Sequence, residues 1–126
     1  MTSPGILIVD DDKPTLHLVS TFLHALGLTA IGVESGEEAI TTLAEKRDEI
    51  GLVLMDLAMP QMSGVEVCRQ IRSELGMSDL PIVALTARID LETEDQALAA
   101  GFNRIVHKPF SLSDLQKVLT QFALLG

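Results

Sequence analysis

Four segments of strand-like composition in this sequence each end at a polar residue whose side chain could do chemistry. The segments are Ile6–Val9, Leu52–Met55, Pro81–Leu85 and Asn103–Val106, and the polar residues that follow them are Asp10 and Asp11, Asp56, Thr86, and Lys108 after His107. Short apolar runs rich in β-branched residues are typical of strands that are buried on both faces of a parallel sheet. Because open α/β sheets place their sites outside the carboxyl ends of the strands, we expect these side chains to converge.

Three carboxylates at one edge of a sheet require positive charge nearby. Two like charges about 4 Å apart repel by roughly 4 kcal/mol at an effective dielectric constant near 20, and Lys108 alone cannot balance Asp10, Asp11 and Asp56. A hard divalent cation with oxygen ligands fits, and Mg²⁺ in proteins keeps several waters while it binds one or two carboxylates and a phosphoryl oxygen. A carboxylate nucleophile, a lysine ammonium and the hydroxyl of Thr86 then suit phosphoryl transfer.

Helical patterns separate the strands and predict how these residues are positioned. The first predicted helix has the apolar stripe Leu16, Val19, Leu23 and Leu26 and ends at Gly27, and it is followed by a strand Thr29–Val33 and by a helix from the capping box of Ser35 and Glu38 to about Lys46. The third helix has the stripe Val65, Cys68, Ile71 and Leu75, and the fourth, from about Leu91 to Ala100, is weakly patterned. The last helix is capped by Ser111 and buries Leu112, Leu115, Leu119 and Phe122. Five strands alternating with five helices predict a doubly wound α/β domain with a parallel sheet. The fourth helix has the poorest apolar stripe, so we expect it to move most easily.

The residues at the strand ends carry a resemblance to a known family. The chain resembles the receiver domains of bacterial two-component response regulators from about Ile6 to Phe122. The matching segments are Ile6–Asp11, Met55–Pro60 with Gly64, Leu85–Ala87 and Lys108–Phe110. The resemblance implies the flavodoxin-like strand order 2-1-3-4-5 and a single domain over residues 1–126, with its core at about residues 5–123 and no output domain.

The same resemblance implies a role for each site residue. Asp56 would be the phosphoacceptor, with Asp11 and Asp56 as direct ligands of Mg²⁺, Asp10 holding a metal-bound water, and the backbone carbonyl of Ala58 as a further ligand. Thr86 would bind the phosphoryl group and move with it, and Lys108 would pair with it. A cis peptide bond before Pro109 is also implied.

Partners and output follow from the family as expectations. The phosphoryl group would come from a sensor histidine kinase or a histidine phosphotransfer protein, and the switched domain would regulate a partner or a fused output domain. The domain would assist its own phosphorylation and dephosphorylation without being a turnover enzyme. A free-standing regulator, a relay shuttle and a piece of a larger protein all remain open.

Three other functions compete with this interpretation. An aspartyl-nucleophile phosphatase of the haloacid dehalogenase type also uses Asp, Thr, Lys and Mg²⁺, but there the paired acids come late in the chain. A flavodoxin-type flavin site needs a phosphate cradle after the first strand, where this chain has Asp10 to Pro14 with three acids. A protein-binding module that works without phosphorylation would not need the complete set of site residues.

Composition limits the function classes further. The chain has 126 residues and a formal charge of −9, which opposes binding of nucleic acid by this chain. Its single cysteine, Cys68, is expected in the core and allows no internal disulfide, which favours a reducing, cytoplasmic location. No apolar run is long enough to span a membrane, and the N-terminus does not resemble a signal peptide.

Four single residues refine the expectations near the site. Asp12 is expected to cap the first helix, and His107 to be a solvated residue rather than a metal ligand. The family often has an aromatic residue three positions before the lysine, where this chain has Ile105, and winged-helix regulators usually have an acid where this chain has Arg104. We therefore expect a readout through Thr86 and the fourth helix, without the dimer typical of those regulators.

Ala58 and Arg88 are expected to flank the path of the water that hydrolyses the phosphoryl group. Ala58 has no polar side chain to hold that water, whereas Arg88 could cover the phosphoryl oxygens and lengthen the life of the phosphorylated form.

Overall fold

The computed structural model describes residues 4–88 and 90–124 and has five strands alternating with five helices. In chain order the elements are β1 (Gly5–Val9), α1 (Lys13–Ala25), β2 (Ala30–Val33), α2 (Gly36–Lys46), β3 (Ile50–Asp56), α3 (Gly64–Ser73), β4 (Ile82–Thr86), α4 (Leu91–Ala100), β5 (Arg104–His107) and α5 (Leu112–Gln121). All strand pairs are parallel and the sheet has the order β2-β1-β3-β4-β5. The predicted fold class and strand order are confirmed.

The helices cover both faces of the sheet, as the continuous apolar strands require. One face packs on α2, α3 and α4 through residues such as Leu43, Ile71 and Ala97. The other packs on α1 and α5 through residues such as Leu23 and Leu115. None of the helices in the described part of the chain has the length and apolar character that a membrane crossing requires.

Element ends differ from the predictions by one or two residues. The strand β3 begins at Ile50 rather than Leu52, because Ile50 already pairs with Gly5 of β1. Two predicted site residues, Asp56 and Thr86, are the last residues of their strands rather than the first residues beyond them. Their backbones are therefore fixed by the sheet.

The helix caps largely follow the sequence. Ser35 accepts a hydrogen bond from the backbone N–H of Glu38, but the carboxylate of Glu38 accepts from Glu34 and not from Ser35, so the predicted capping box is only half formed. Ser111 and Asp114 form a complete capping box at α5.

The buried stripes of α3 and α5 differ from the predicted ones. In α3 the buried apolar residues are Val67, Cys68 and Ile71, with the predicted Val65 and Leu75 packed at the edge of the core. In α5, Val118 is buried beside the predicted Leu115 and Leu119, whereas the predicted Leu112 and Phe122 are only partly buried.

Candidate functional site

The carboxyl edge of the sheet brings the predicted polar residues together. Asp10, Asp56 and Thr86 are the buried polar or charged residues of the described chain, and they come from the ends of the neighbouring strands β1, β3 and β4. Lys108 follows β5 and reaches across, with its Nζ atom 3.0 Å from Oδ2 of Asp10 and 3.6 Å from Oδ2 of Asp56. Four segments distant in sequence thus form one polar cluster.

Three carboxylates of this cluster could hold a metal ion. Asp10, Asp11 and Asp56 each offer an oxygen, and these oxygens lie within 4.8 Å of one another. Carboxylate oxygens suit a hard cation such as Mg²⁺ rather than a metal that prefers nitrogen or sulfur. The donor set therefore fits the predicted ion.

The charge state of Asp56 depends on burial above all. Burial raises the pKa of Asp56, Lys108 lowers it, and Asp10 and Asp11 raise it again. One carboxylate oxygen, Oδ1, also accepts a hydrogen bond from the backbone N–H of Ala58 at 3.2 Å, which lowers the pKa. Added positive charge would stabilise the ionised form of this carboxylate.

Asp12 caps α1, as predicted. Its carboxylate accepts hydrogen bonds from the backbone N–H and the hydroxyl of Thr15, at 3.1 and 2.6 Å, and these bonds lower the pKa of Asp12. The backbone N–H of Asp12 donates to Oδ1 of Asp10 at 2.9 Å. The third acid of the triplet thus fixes the helix start and the orientation of Asp10.

Gly64 allows α3 to start directly against the end of β3. A Cβ atom at Gly64 would lie 2.4 Å from the carbonyl oxygen of Asp56, and the backbone N–H of Gly64 donates to the carbonyl of Leu57 at 3.0 Å. Any larger residue would displace the end of β3 that carries Asp56.

The hydroxyl of Thr86 is held by the loop that follows β4. Its oxygen accepts a hydrogen bond from the backbone N–H of Arg88 at 3.0 Å. The guanidinium of Arg88 pairs with Asp90 at 3.2 Å, and its side chain is 70% exposed. In this state Arg88 is engaged at the start of α4, and its predicted role over the phosphorylated site remains a prediction.

Two features near the site were missed at the sequence level. Nε2 of His107 lies 3.2 Å from Oε1 of Glu94, which joins β5 to α4. A hollow of about 360 Å³ beside Lys108 is lined by Thr15, Leu18, Ala87, Pro109 and Phe110. Neither the His107–Glu94 contact nor the hollow has a local sequence signal, because each depends on residues from separate elements. The peptide bond before Pro109, at the edge of the hollow, is cis, as expected.

Comparison with known proteins decides the family. The family model of the response regulator receiver domain matches residues 6–120. The chain belongs to this family. It is a receiver domain of phosphorelay signalling. This receiver is 38% identical over 109 residues to the heme response regulator HssR of Staphylococcus haemolyticus, a match that covers 86% of this chain and 46% of HssR.

Solved structures give the same fold. The chemotaxis protein CheY4 of Vibrio cholerae is 26% identical, with a TM-score of 0.89 over 96% of this receiver and 99% of CheY4. The receiver domain of the sensor histidine kinase PA1611 of Pseudomonas aeruginosa is 29% identical, with a TM-score of 0.84 over 96% of this chain and 98% of that one. Its structure has a magnesium ion coordinated in the active-site cleft. These comparisons give no support to a phosphatase of the haloacid dehalogenase type.

The receiver spans less than half the length of the first curated relatives that it matches, between 19% and 46%. The activities and partners that the names of those relatives state are properties of the relatives as whole proteins.

Proposed function

We propose that Asp56 of this receiver accepts a phosphoryl group from a phosphohistidine in a partner protein and that the phosphorylated form regulates a target. The proposal rests chiefly on one observation, the convergence of Asp56 with Asp10, Asp11 and Lys108 at the carboxyl edge of the sheet. In the transfer, a carboxylate oxygen of Asp56 forms the new O–P bond, the N–P bond of the phosphohistidine breaks, and the electron pair stays on the imidazole.

The acidic cluster would hold the cation. Asp11, Asp56 and the backbone carbonyl of Ala58 would bind Mg²⁺ directly, and Asp10 would hold one of its waters. When bound, the ion neutralises charge that develops on the transferred group. Asp56 is a buried residue, so its negative charge is costly without such help.

Within the protein itself, Lys108 is the source of positive charge beside Asp10 and Asp56. Its ammonium already contacts Asp10 and Asp56, so it stands beside the position that the phosphoryl oxygens would take. It would stabilise the transferring group electrostatically.

Thr86 is the proposed link between the chemistry and the rest of the molecule. To donate a hydrogen bond to a phosphoryl oxygen, its hydroxyl would turn toward Asp56 and give up the bond from the N–H of Arg88. That change would release the loop before α4. Ile105 of β5, which lies in register with Ala84 of β4, has an aliphatic side chain and so cannot hydrogen-bond to the hydroxyl of Thr86.

The mouth of the site suits a helical partner. Leu18 on α1 is 45% exposed, and it borders the hollow that Pro109 and Phe110 line beside Lys108. An apolar helix face that presents a phosphohistidine would fit this rim, which is consistent with a sensor histidine kinase or a histidine phosphotransfer protein as donor. An output domain or separate target, a cytoplasmic location, and a lack of nucleic-acid binding and of turnover on external substrates belong to the same proposal.

Intact-mass measurement tests the proposal directly. Protein incubated with Mg²⁺ and acetyl phosphate should gain the mass of one phosphoryl group, and Asp56→Asn should gain none. Asp12→Asn is the matched control, because it makes the same change near the site at a residue that caps α1. Equal labelling of Asp56→Asn and the wild type would refute the assignment.

A further inference from the structure

Arg72 on α3 joins three segments of the chain through its guanidinium group. Its Nε and Nη2 atoms donate to the carbonyl of Gly101 at 3.2 and 2.8 Å, and its Nη1 atom donates to the carbonyl of Met77 at 2.6 Å. Nη2 also donates to Oδ1 of Asn103 at 2.9 Å, an oxygen that accepts the backbone N–H of Ile82 at 2.9 Å as well. Arg72 thus connects α3 with the end of α4 and the starts of β4 and β5.

The C-terminal end of α4 is held on α3 by further contacts. The thiol of Cys68 donates to the carbonyl of Ala100 at 3.4 Å. Gly101 ends the helix in the left-handed conformation, with φ at +115°, and a Cβ atom there would lie 2.9 Å from Cγ of Arg72. The buried residues of α4, Ala97 and Ala100, are both in its second half.

The N-terminal half of α4 is held by much weaker contacts. Leu91 is 76% exposed, and Asp90 makes its ion pair with Arg88 at the surface. Glu94 contacts His107 across a partly exposed pair of side chains. Exposed ion pairs contribute little to stability. The end of α4 nearest Thr86 is therefore the more weakly held end.

We propose that Arg72 makes the C-terminal end of α4 a fixed pivot, so that phosphorylation swings only the N-terminal half of the helix. The inference rests on the proposed function, because the displacement of Thr86 drives the swing. Release of the Thr86–Arg88 bond loosens the segment that leads into α4, while the carbonyl of Gly101 stays bound to Arg72. A planar guanidinium can reach all of these acceptors at once, whereas the single ammonium of a lysine cannot hold the same geometry.

Backbone amide exchange of the wild-type receiver provides the first test. The protein is compared without and with Mg²⁺ and beryllofluoride, a mimic of the phosphoryl group. Exchange at residues 91–96 should change several-fold, while exchange at Gly101 and Phe102 should change by less than about twofold. Equal changes along the whole of α4 would overturn the pivot.

Arg72→Lys provides the second test, with Arg47→Lys as the matched control. Arg47 donates to the carbonyl of Leu75, so the control removes an arginine–carbonyl bond that lies away from α4. Without the phosphoryl mimic, Arg72→Lys should speed exchange at Gly101 and Phe102 by about tenfold, since hydrogen bonds from charged groups are lost. With the mimic, its changes should spread over all of α4, and those of Arg47→Lys should not. An Arg72→Lys pattern identical to the wild type would overturn the role of Arg72.

Failure of the pivot can be told apart from failure of the proposed function. Intact mass after acetyl phosphate treatment reports phosphorylation alone. A wild-type protein that gains no phosphoryl mass refutes the proposed function and the pivot with it. A protein that gains the phosphoryl mass but shows uniform changes along α4 refutes the pivot alone.

Discussion

Lys108 is shared unequally between two aspartates. Its ammonium lies 3.0 Å from Asp10 but 3.6 Å from Asp56, so the fully buried Asp10 receives the better ion pair. Asp56 keeps a raised pKa because burial outweighs the attraction of Lys108. The proposed nucleophile is thus left short of positive charge in the protein alone, which is the condition that a divalent cation relieves.

Replacement of single acids should separate metal binding from helix capping. Asp11→Asn should lower the affinity for Mg²⁺ at least about tenfold and slow phosphorylation, because a charged ligand is lost. Asp12→Asn should change both far less, since asparagine also caps helices well. Magnesium titrations followed by calorimetry, together with rates from acetyl phosphate, give the two quantities. Similar losses in the two variants would contradict the assignment of Asp11 as a ligand.

The ion pair between Arg88 and Asp90 provides a test of how long the phosphoryl group survives. If Arg88 turns to cover the phosphoryl oxygens, Arg88→Ala should shorten the lifetime several-fold through loss of about 1 kcal/mol of charge-assisted bonding. Asp90→Asn should lengthen the lifetime, because it frees Arg88 and still caps α4. Timed decay of the phosphorylated protein, followed by mass, measures both.

The two variants together leave little ambiguity about Arg88. A lifetime that is unchanged in Arg88→Ala would rule out the covering role. A shorter lifetime in Asp90→Asn would indicate that Arg88 assists the attacking water instead.

At the scale of elements, the junction of β3 and α3 is the tightest part of the site. Gly64→Ala should destabilise the fold by about 1–3 kcal/mol, because the added methyl group would press on the carbonyl of Asp56. Affinity for Mg²⁺ should fall as well, since the end of β3 must shift. Urea unfolding and magnesium titration are the measurements.

Gly32→Ala is the matched control for this change. It adds the same methyl group to β2, where the nearest atom is 3.6 Å away in the side chain of Leu16. It should leave the affinity for Mg²⁺ unchanged. A Gly64→Ala protein that binds Mg²⁺ normally would show that the junction has more room than the structure gives it.

The elements themselves could be predicted from the sequence because their signals are local. Strand runs such as Leu52–Met55 and caps such as Ser111 depend on neighbours within a few residues. The convergence of Asp10, Asp56 and Lys108 followed from one rule about parallel sheets. The bonds of Arg72 and the pair of His107 with Glu94 could not be predicted, because they join side chains to groups on other elements whose positions only the packed fold defines.

At the scale of the whole molecule, the charges and contacts of the face formed by α4, β5 and α5 determine whether two chains can form a dimer there. Arg104 on β5 donates a hydrogen bond to the side chain of Gln121 on α5, so it is engaged within the chain. The neighbouring helix α4 has the exposed acids Glu92 and Asp95, and the chain has a net charge of −9. A symmetric dimer through α4, β5 and α5 would place Arg104, which is already engaged by Gln121, where the winged-helix regulators usually have an acid.

We therefore expect that the phosphorylated receiver forms no dimer through this face and remains monomeric. Sedimentation velocity of the protein with and without Mg²⁺ and beryllofluoride, over a range of concentrations, should give the mass of one chain in both states. A dimer that forms only with the phosphoryl mimic and uses α4, β5 and α5 would contradict this expectation.

The burial of Cys68 makes its thiol a native reporter of the opening of the contact between α3 and α4. Burial raises the pKa of this thiol to about 11, so at neutral pH it is protonated as well as covered, whereas only an accessible thiolate attacks disulfide reagents. The rate at which a disulfide reagent modifies the unaltered protein therefore reports how often α4 parts from α3. For the same reason, a cysteine introduced at the exposed Leu98 would take a dye or spin label selectively, without removal of the native thiol.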